Sequence, residues 1–277
     1  LGWFLGGQDL NYAGKTLAHG GAIESYHSQL TLLPDHKLGV VVLANSQQAA
    51  GLVEELASEA LRLALEEKTG IKPPKAKAQA KKIKLSLAEL QKYQGHYATS
   101  AGLLNIKAGR GGLLTHLGGT PLKLVPLLGG SFAPKYSLWG LFAFSVPQLA
   151  KLEFSFQNVA NHQLLVLETK GDRIVFGEKI QPVPLSDLWE ARIGNYELLD
   201  ASGRGWIRDV ALTQETGFLT LSGKLEGIGQ LKVALKPVAD DQAIIMGLGR
   251  NTGDTVRFER IAGQEIMFYS GYGFRKK

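Results

Sequence analysis

Short apolar runs punctuated by turn residues set the pattern of this chain. Gly2-Trp3-Phe4-Leu5 is followed, after a polar turn, by Ala18 to Ile23. Ser28 to Leu33 then alternates up to the turn signal Pro34-Asp35, and Leu38 to Ala44 is continuously apolar, as in a buried strand. Four antiparallel strands are expected here. From Gln48 the period changes. Leu52, Leu56, Ala60, Leu63 and Ala64 recur at three and four residues, and Gly70 supplies a stop, which predicts a helix of about 20 residues. A sheet with one amphipathic helix keeps one face uncovered, so this segment is expected to need a further layer, supplied from upstream.

Beyond residue 84 the pattern is again that of strands. Leu85 to Leu90 predicts a short helix entered through Ser86, with Glu89 three residues on as a capping box. Alternating runs follow, among them Leu152 to Phe156, Gln163 to Leu167, Arg173 to Phe176 and Val256 to Glu259. Such runs have one wet and one dry face, and closure into a barrel removes their exposed edges. Tyr93-Gln94-Gly95-His96-Tyr97 returns in outline as Arg192-Ile193-Gly194-Asn195-Tyr196, and each copy precedes a leucine-rich run. Two related β units are expected, as one barrel or two. Tyr97, Trp139, Trp189, Tyr196 and Trp206 are assigned to barrel cores or closure, with a cavity for an apolar ligand as the alternative.

The expected fold class is therefore α+β: an antiparallel sheet with a terminal helix, followed by mostly antiparallel β-barrel structure. Its expected divisions are 1–70 for the sheet and helix, 71–84 for a linker, 85–185 for the first β unit and 186–277 for the second.

Composition changes this picture little. The 34 glycines fall between apolar runs and favour turns, and 44% hydrophobic content suffices for real cores. The net charge of +6 is a property of the linker. Seven lysines and no acid lie between Lys68 and Lys84, and removing them from the 31 basic residues leaves 24 against 25 acidic. With Pro73-Pro74 and several alanines, this tract reads as a solvated connector, so no nucleic-acid partner is expected. Without cysteine there are no disulfides or thiolate metal sites. His27, His36, His96, His116 and His162 show no ligand spacing, so no metal is expected. Gly109-Arg110-Gly111-Gly112 lacks the setting of a phosphate loop and reads as a hairpin tip. No run of about 18 apolar residues occurs. The chain starts at Leu1, which suggests an upstream portion.

The most informative stretch is Leu17-Ala18-His19-Gly20-Gly21-Ala22, then Tyr26 to Asp35, then Leu38 to Asn45. With Gly2-Trp3-Phe4 before it, this order resembles the end of the serine β-lactamase and penicillin-binding-protein family, in its class C and esterase-like branch. The resemblance covers about the first 65 residues. It implies a hydrolase of ester, amide or peptide bonds, with His19, Gly20 and Gly21 binding substrate along a strand edge and the Ala22 backbone N–H donating to an oxyanion. It implies no cofactor. Two departures stand against activity in this chain alone. Gly20 lacks the hydroxyl common at that position, and the Ser-x-x-Lys nucleophile motif occurs nowhere. On this resemblance the chain is not catalytic by itself. Its partners would be a missing amino-terminal catalytic portion or a companion chain carrying one, and a small-molecule or peptide substrate, with homo-oligomerisation open. A periplasmic or extracellular setting is slightly favoured. Tyr-x-Gly-x-Tyr also resembles the openings of lipocalin-like barrels, and the alternative function is a lipocalin-like ligand-binding or assembly module in which the first segment only supports the barrels.

Overall fold

The computed structural model describes the chain except residues 1, 7–9, 24, 75–79, 100, 118, 139–141, 145–148, 150–151, 170–171, 200–206, 226–228 and 249–252. The calls on Trp139 and Trp206 fall outside the described residues. The chain divides into two compact units, 1–80 with 168–173, and 81–167 with 174–277.

The first unit holds a four-stranded antiparallel sheet in the order β1 (Phe4–Leu5), β2 (Leu17–Ile23), β3 (Tyr26–Leu33), β4 (Leu38–Ala44), followed by helix α1 (Ala50–Thr69). Gly70 ends the helix in the left-handed conformation, donating its N–H to the Glu66 carbonyl. The stripe α1 buries is Val53, Ala57, Leu61 and Leu65, and Leu61 and Leu65 join Leu33 and Leu10 in a core bordered by Leu38 and Val40. The expected stripe is corrected here. Leu52, Leu56 and Leu63 are exposed, because a second apolar stripe one position away carries the contact with the sheet. On β4, Val41 and Leu43 alternate with the residues under α1 and are exposed, as are Phe4 and Leu5 on β1.

The second unit is two closed barrels. The first is formed by β5 (Gly95–Thr99), β6 (Gly102–Gly109), β7 (Gly112–Leu117), β8 (Thr120–Pro126), β9 (Ser131–Leu138), β11 (Leu152–Val159), β12 (His162–Thr169) and β13 (Asp172–Ile180). Successive strands pair, β13 returns to β5, and β10 (Phe142–Phe144) hangs on β9. The second runs from β14 (Gly194–Leu198) through β15 (Ile207–Glu215), β16 (Phe218–Leu225), β17 (Gly229–Pro237), β18 (Gln242–Ile245), β19 (Thr255–Ile261) and β20 (Gln264–Tyr269) to β21 (Tyr272–Lys276), which closes on β14.

This architecture corrects the expected α+β class. Among the described residues, twenty-one strands stand against one long α-helix and two five-residue α-helices, α2 (Leu87–Gln91) and α3 (Asp187–Ala191), so the chain is mostly β. The sheet and helix that prompted the α+β reading are the smaller part, and the two copies of the β pattern each close on themselves instead of sharing one barrel.

Both barrels begin with the same device. A short helix enters through Ser86 or Ser186, a glycine starts the first strand, and a tyrosine two residues later turns inward. The Tyr97 hydroxyl donates to the Tyr93 carbonyl at 2.8 Å, and that of Tyr196 to the Arg192 carbonyl at 2.6 Å. Gly95 and Gly194 have φ of 143° and 153°. A Cβ at either would lie 2.5 or 2.6 Å from the Cε of Lys179 or Lys276, the lysine of the closing strand. Those lysine ends can swing aside, so the positive φ is the stronger reason for glycine at both positions.

The barrels pack wall to wall. Ala98 and Ile180 of the first and Phe218 and Ala234 of the second form a buried cluster, with Leu103 and Met246 against it. His96 stacks 4.9 Å from the Phe218 ring, and its Nε2 lies 3.1 Å from the Thr216 Oγ1.

Candidate functional site in the second barrel

The two barrels differ in what fills them. The first is packed by Leu104, Ile106, Leu113, Leu124 and Leu165 and by an aromatic group of Tyr93, Tyr97, Phe132 and Phe156, whose rings lie 4.7 to 5.6 Å apart. The Phe156 ring lies against three of the others, so the aromatic group packs as one cluster.

The second barrel is plugged at the end where α3 enters. Trp189 is buried and donates its Nε1–H to the Ala239 carbonyl at 3.0 Å. Arg192, 5% exposed, lies with its guanidinium 4.8 Å from the Trp189 ring and 4.2 Å from the Phe258 ring. It donates to the Asp240 carbonyl and, at 2.7 Å, to the Glu265 carboxylate. These partners lie on the β17–β18 turn and at the start of β20, so one side chain ties three parts of the barrel floor together.

At the opposite end the barrel is hollow. A cavity of about 220 Å³ is lined by Ile207 and Val210 of β15, Leu221, Gly223 and Leu225 of β16, Leu231 and Val233 of β17, Met267 and Tyr269 of β20 and Tyr272 and Phe274 of β21. Aliphatic side chains and one glycine line it on β15, β16 and β17, and Met267, two tyrosines and Phe274 line it on β20 and β21. The polar groups at hand are the tyrosine hydroxyls and the serines 222 and 270. Burial, reinforced by the Asp254 carboxylate, holds the Tyr269 hydroxyl above the ordinary tyrosine range, so it is a neutral donor at physiological pH.

Among the described residues, the pairing of β14 with β15 stops short beside this cavity. β14 pairs with β15 from Gly194↔Leu212 to Tyr196↔Val210, while Glu197 and Leu198 pair with β21 alone. Ile207 and Arg208 pair with Leu225 and Lys224 of β16, and a bulge with Asp209 at φ 54° separates that pairing from the rest of the strand. A second groove on the outside, lined by Glu197, Arg208, Asp209, Arg275 and Lys277, shares Ile207 and Val210 with the cavity.

The residues singled out in sequence lie in the first unit. His19, Gly20, Gly21 and Ala22 are exposed on β2, paired with Leu30, Gln29, Ser28 and His27 of β3. β1 reaches only Leu17 and Ala18, so among the described residues no strand pairs with the other edge of β2 beyond Ala18. The His19 ring lies 6.0 Å from Phe4. A Cβ at Gly20 would come 3.1 Å from Gln29 Oε1, and at Gly21 2.6 Å from Ser28 Oγ. Of the four, only Gly21 lines the nearby surface depression, with Ile23, Tyr26, His27, Ser28 and Leu43. Sequence reasoning missed Ile207, Val210, Leu225, Val233 and Met267. Nothing local distinguishes an inward residue that packs from one that lines a hollow.

No protein-family model matches this chain, and no curated protein matches it. Among solved structures, it is similar to SurE with D-Leu at 18% identity and to SurE at 20%, each with a TM-score of 0.40 over 65% of this chain. The chain corresponds to 38% and 37% of those two chains, well under half their length. A likeness at that level establishes no shared fold. The expected membership in the β-lactamase and penicillin-binding-protein family, and with it the serine hydrolase, esterase and peptidase reading, is thereby corrected. The comparisons do not bear it out, and the bulk of the chain is two antiparallel barrels. The resemblance rested on the order of short strands and one helix in 65 residues, a pattern that generic antiparallel structure also produces.

Proposed function

We propose that this chain is a binding module whose second barrel takes a small apolar ligand. The observation that carries this reading is the 220 Å³ cavity at the unplugged end of that barrel, walled by aliphatic and aromatic side chains and offering few polar atoms. Barrel mouths are common ligand sites, and the apolar lining supplies affinity while the tyrosine hydroxyls orient a polar group. The volume lies below the range of drug-sized pockets, about 300–1,000 Å³, so the ligand is a single narrow chain and not a fused-ring molecule.

The test is titration of the protein with a fluorescent apolar probe, alongside a variant in which Val233→Trp fills the cavity. Saturable binding by the parent and its loss in a folded Val233→Trp variant are the expected outcome. Equal binding by both would place the probe elsewhere and end this reading.

The unpaired edge of β2 favours a second role, in which an extended segment of another chain adds to the sheet at His19–Ile23. Ala22→Pro removes one backbone donor from that edge and is expected to weaken such an assembly in light scattering. An unchanged mass distribution, or a single monomeric species in the parent, would dismiss it.

A further inference from the structure

The lip of the cavity and the gap beside it specify more than an apolar chain. Ile207 and Leu225, partners across β15 and β16, both line the cavity. The next pair in the same register is Arg208 and Lys224, and both are exposed. Two like charges directly opposite one another on a sheet destabilise it. Among the described residues, neither has an acidic partner within ion-pair distance. The acids of the outer groove do not cancel them. Glu197 is engaged by Arg275 at 2.5 Å, which leaves Asp209 against Arg208 and Lys277 in that groove.

The charged pair sits beside the rim of the cavity, since Ile207↔Leu225 is the outermost pair of β15 and β16. β14 leaves β15 above Tyr196 and Val210, and the bulge at Asp209 places Arg208 and Asp209 outside between the inward Ile207 and Val210. Ile207 and Val210 line the cavity on one side and the groove on the other. A ligand whose chain lies in the barrel can thus present its head to Arg208 at the lip, without a charge entering the apolar interior.

We propose that the second barrel binds a single-chain amphiphile with an anionic head, of the carboxylate class, with the alkyl chain in the cavity and the head on Arg208 and Lys224. This rests on the cavity reading above. Charge-assisted hydrogen bonds from the guanidinium and ammonium groups would fix the head and relieve the repulsion between the two cations.

The experiment compares decanoate, 1-decanol and decyltrimethylammonium by calorimetry on the full chain, on Arg208→Gln with Lys224→Gln, and on Val233→Trp. Decanoate is expected to bind most tightly. The double variant is expected to lose about tenfold or more of that affinity, of the order of one charge-assisted bond, and to leave 1-decanol unchanged. Added salt is expected to weaken decanoate and not 1-decanol in the parent, a reading that survives even if the double variant fails to fold. Equal affinity for decanoate and decanol, both salt-independent and both lost in Val233→Trp, would overturn the anionic head and leave the cavity reading intact. No binding of any of the three would overturn both.

Discussion

Tyr97 and Tyr196 show what single residues contribute. Each sits in a barrel core, and burial raises its hydroxyl pKa, so the group stays protonated and donates to a carbonyl four residues back. Tyr196→Phe strands the Arg192 carbonyl inside the plug. It is expected to cost about 1 kcal/mol in urea denaturation, with no change in the slope of the transition. Gly102 is held by the neighbouring barrel. At φ 107° its Cβ would lie 2.7 Å from the Lys232 carbonyl oxygen, a backbone atom that cannot swing aside. Gly102→Val is therefore expected to destabilise by about 2 kcal/mol or more and to lower the melting temperature measured by circular dichroism. The Gly-x-Tyr spacing was visible in the sequence because its hydrogen bond spans four residues. The role of Arg192 was not, because its partners Asp240 and Glu265 lie 48 and 73 positions away.

Among the elements, α2 was the most legible. Ser86 accepts from the Glu89 N–H at 3.3 Å while the Glu89 carboxylate accepts from the Ser86 N–H at 2.7 Å, the reciprocal pair that the spacing announces. These contacts also hold the Glu89 carboxyl below the usual carboxylate range. Ser86→Ala is expected to cost about 1 kcal/mol, read as a lowered urea midpoint. The helix α1 was legible as a helix and misread in its facing. Two apolar stripes run along it, and the one that carries Ala57 is buried because its Leu61 and Leu65 pack on Leu10 and Leu33. The bulge in β15 left no sequence signal, since Asp209 is not a glycine and the strands around it alternate normally.

For the whole molecule, the junction between barrels makes stability depend on pH. Burial, with a smaller contribution from Lys107, lowers the pKa of His96, whose ring lies against Phe218. The folded state then binds fewer protons than the unfolded one between the lowered pKa and about 6.5. The contribution of this neutral ring is complete above pH 6.5 and falls away as the pH drops through the folded value. Urea midpoints measured between pH 5 and 8 are expected to decline below 6.5, and His96→Gln is expected to flatten the part of that decline that comes from the junction. An unaltered profile in the variant would assign the decline to other groups.

The sequence by itself determined what depends on neighbours in the chain: the strands, through alternation; the caps at Ser86 and Gly70, through spacing; the glycine tip at residues 109–112; and the two-fold recurrence of the Gly-x-Tyr opening. Only the tertiary structure decided that the recurring units close as two separate barrels. It also decided that an aromatic cluster gathers in one and a cavity opens in the other, that among the described residues β14 parts from β15 beside that cavity, and that Arg208 and Lys224 meet at its lip. Closure, free volume and charge proximity arise from pairings between residues far apart in sequence, and a periodicity of two carries no record of which strand a strand will pair with.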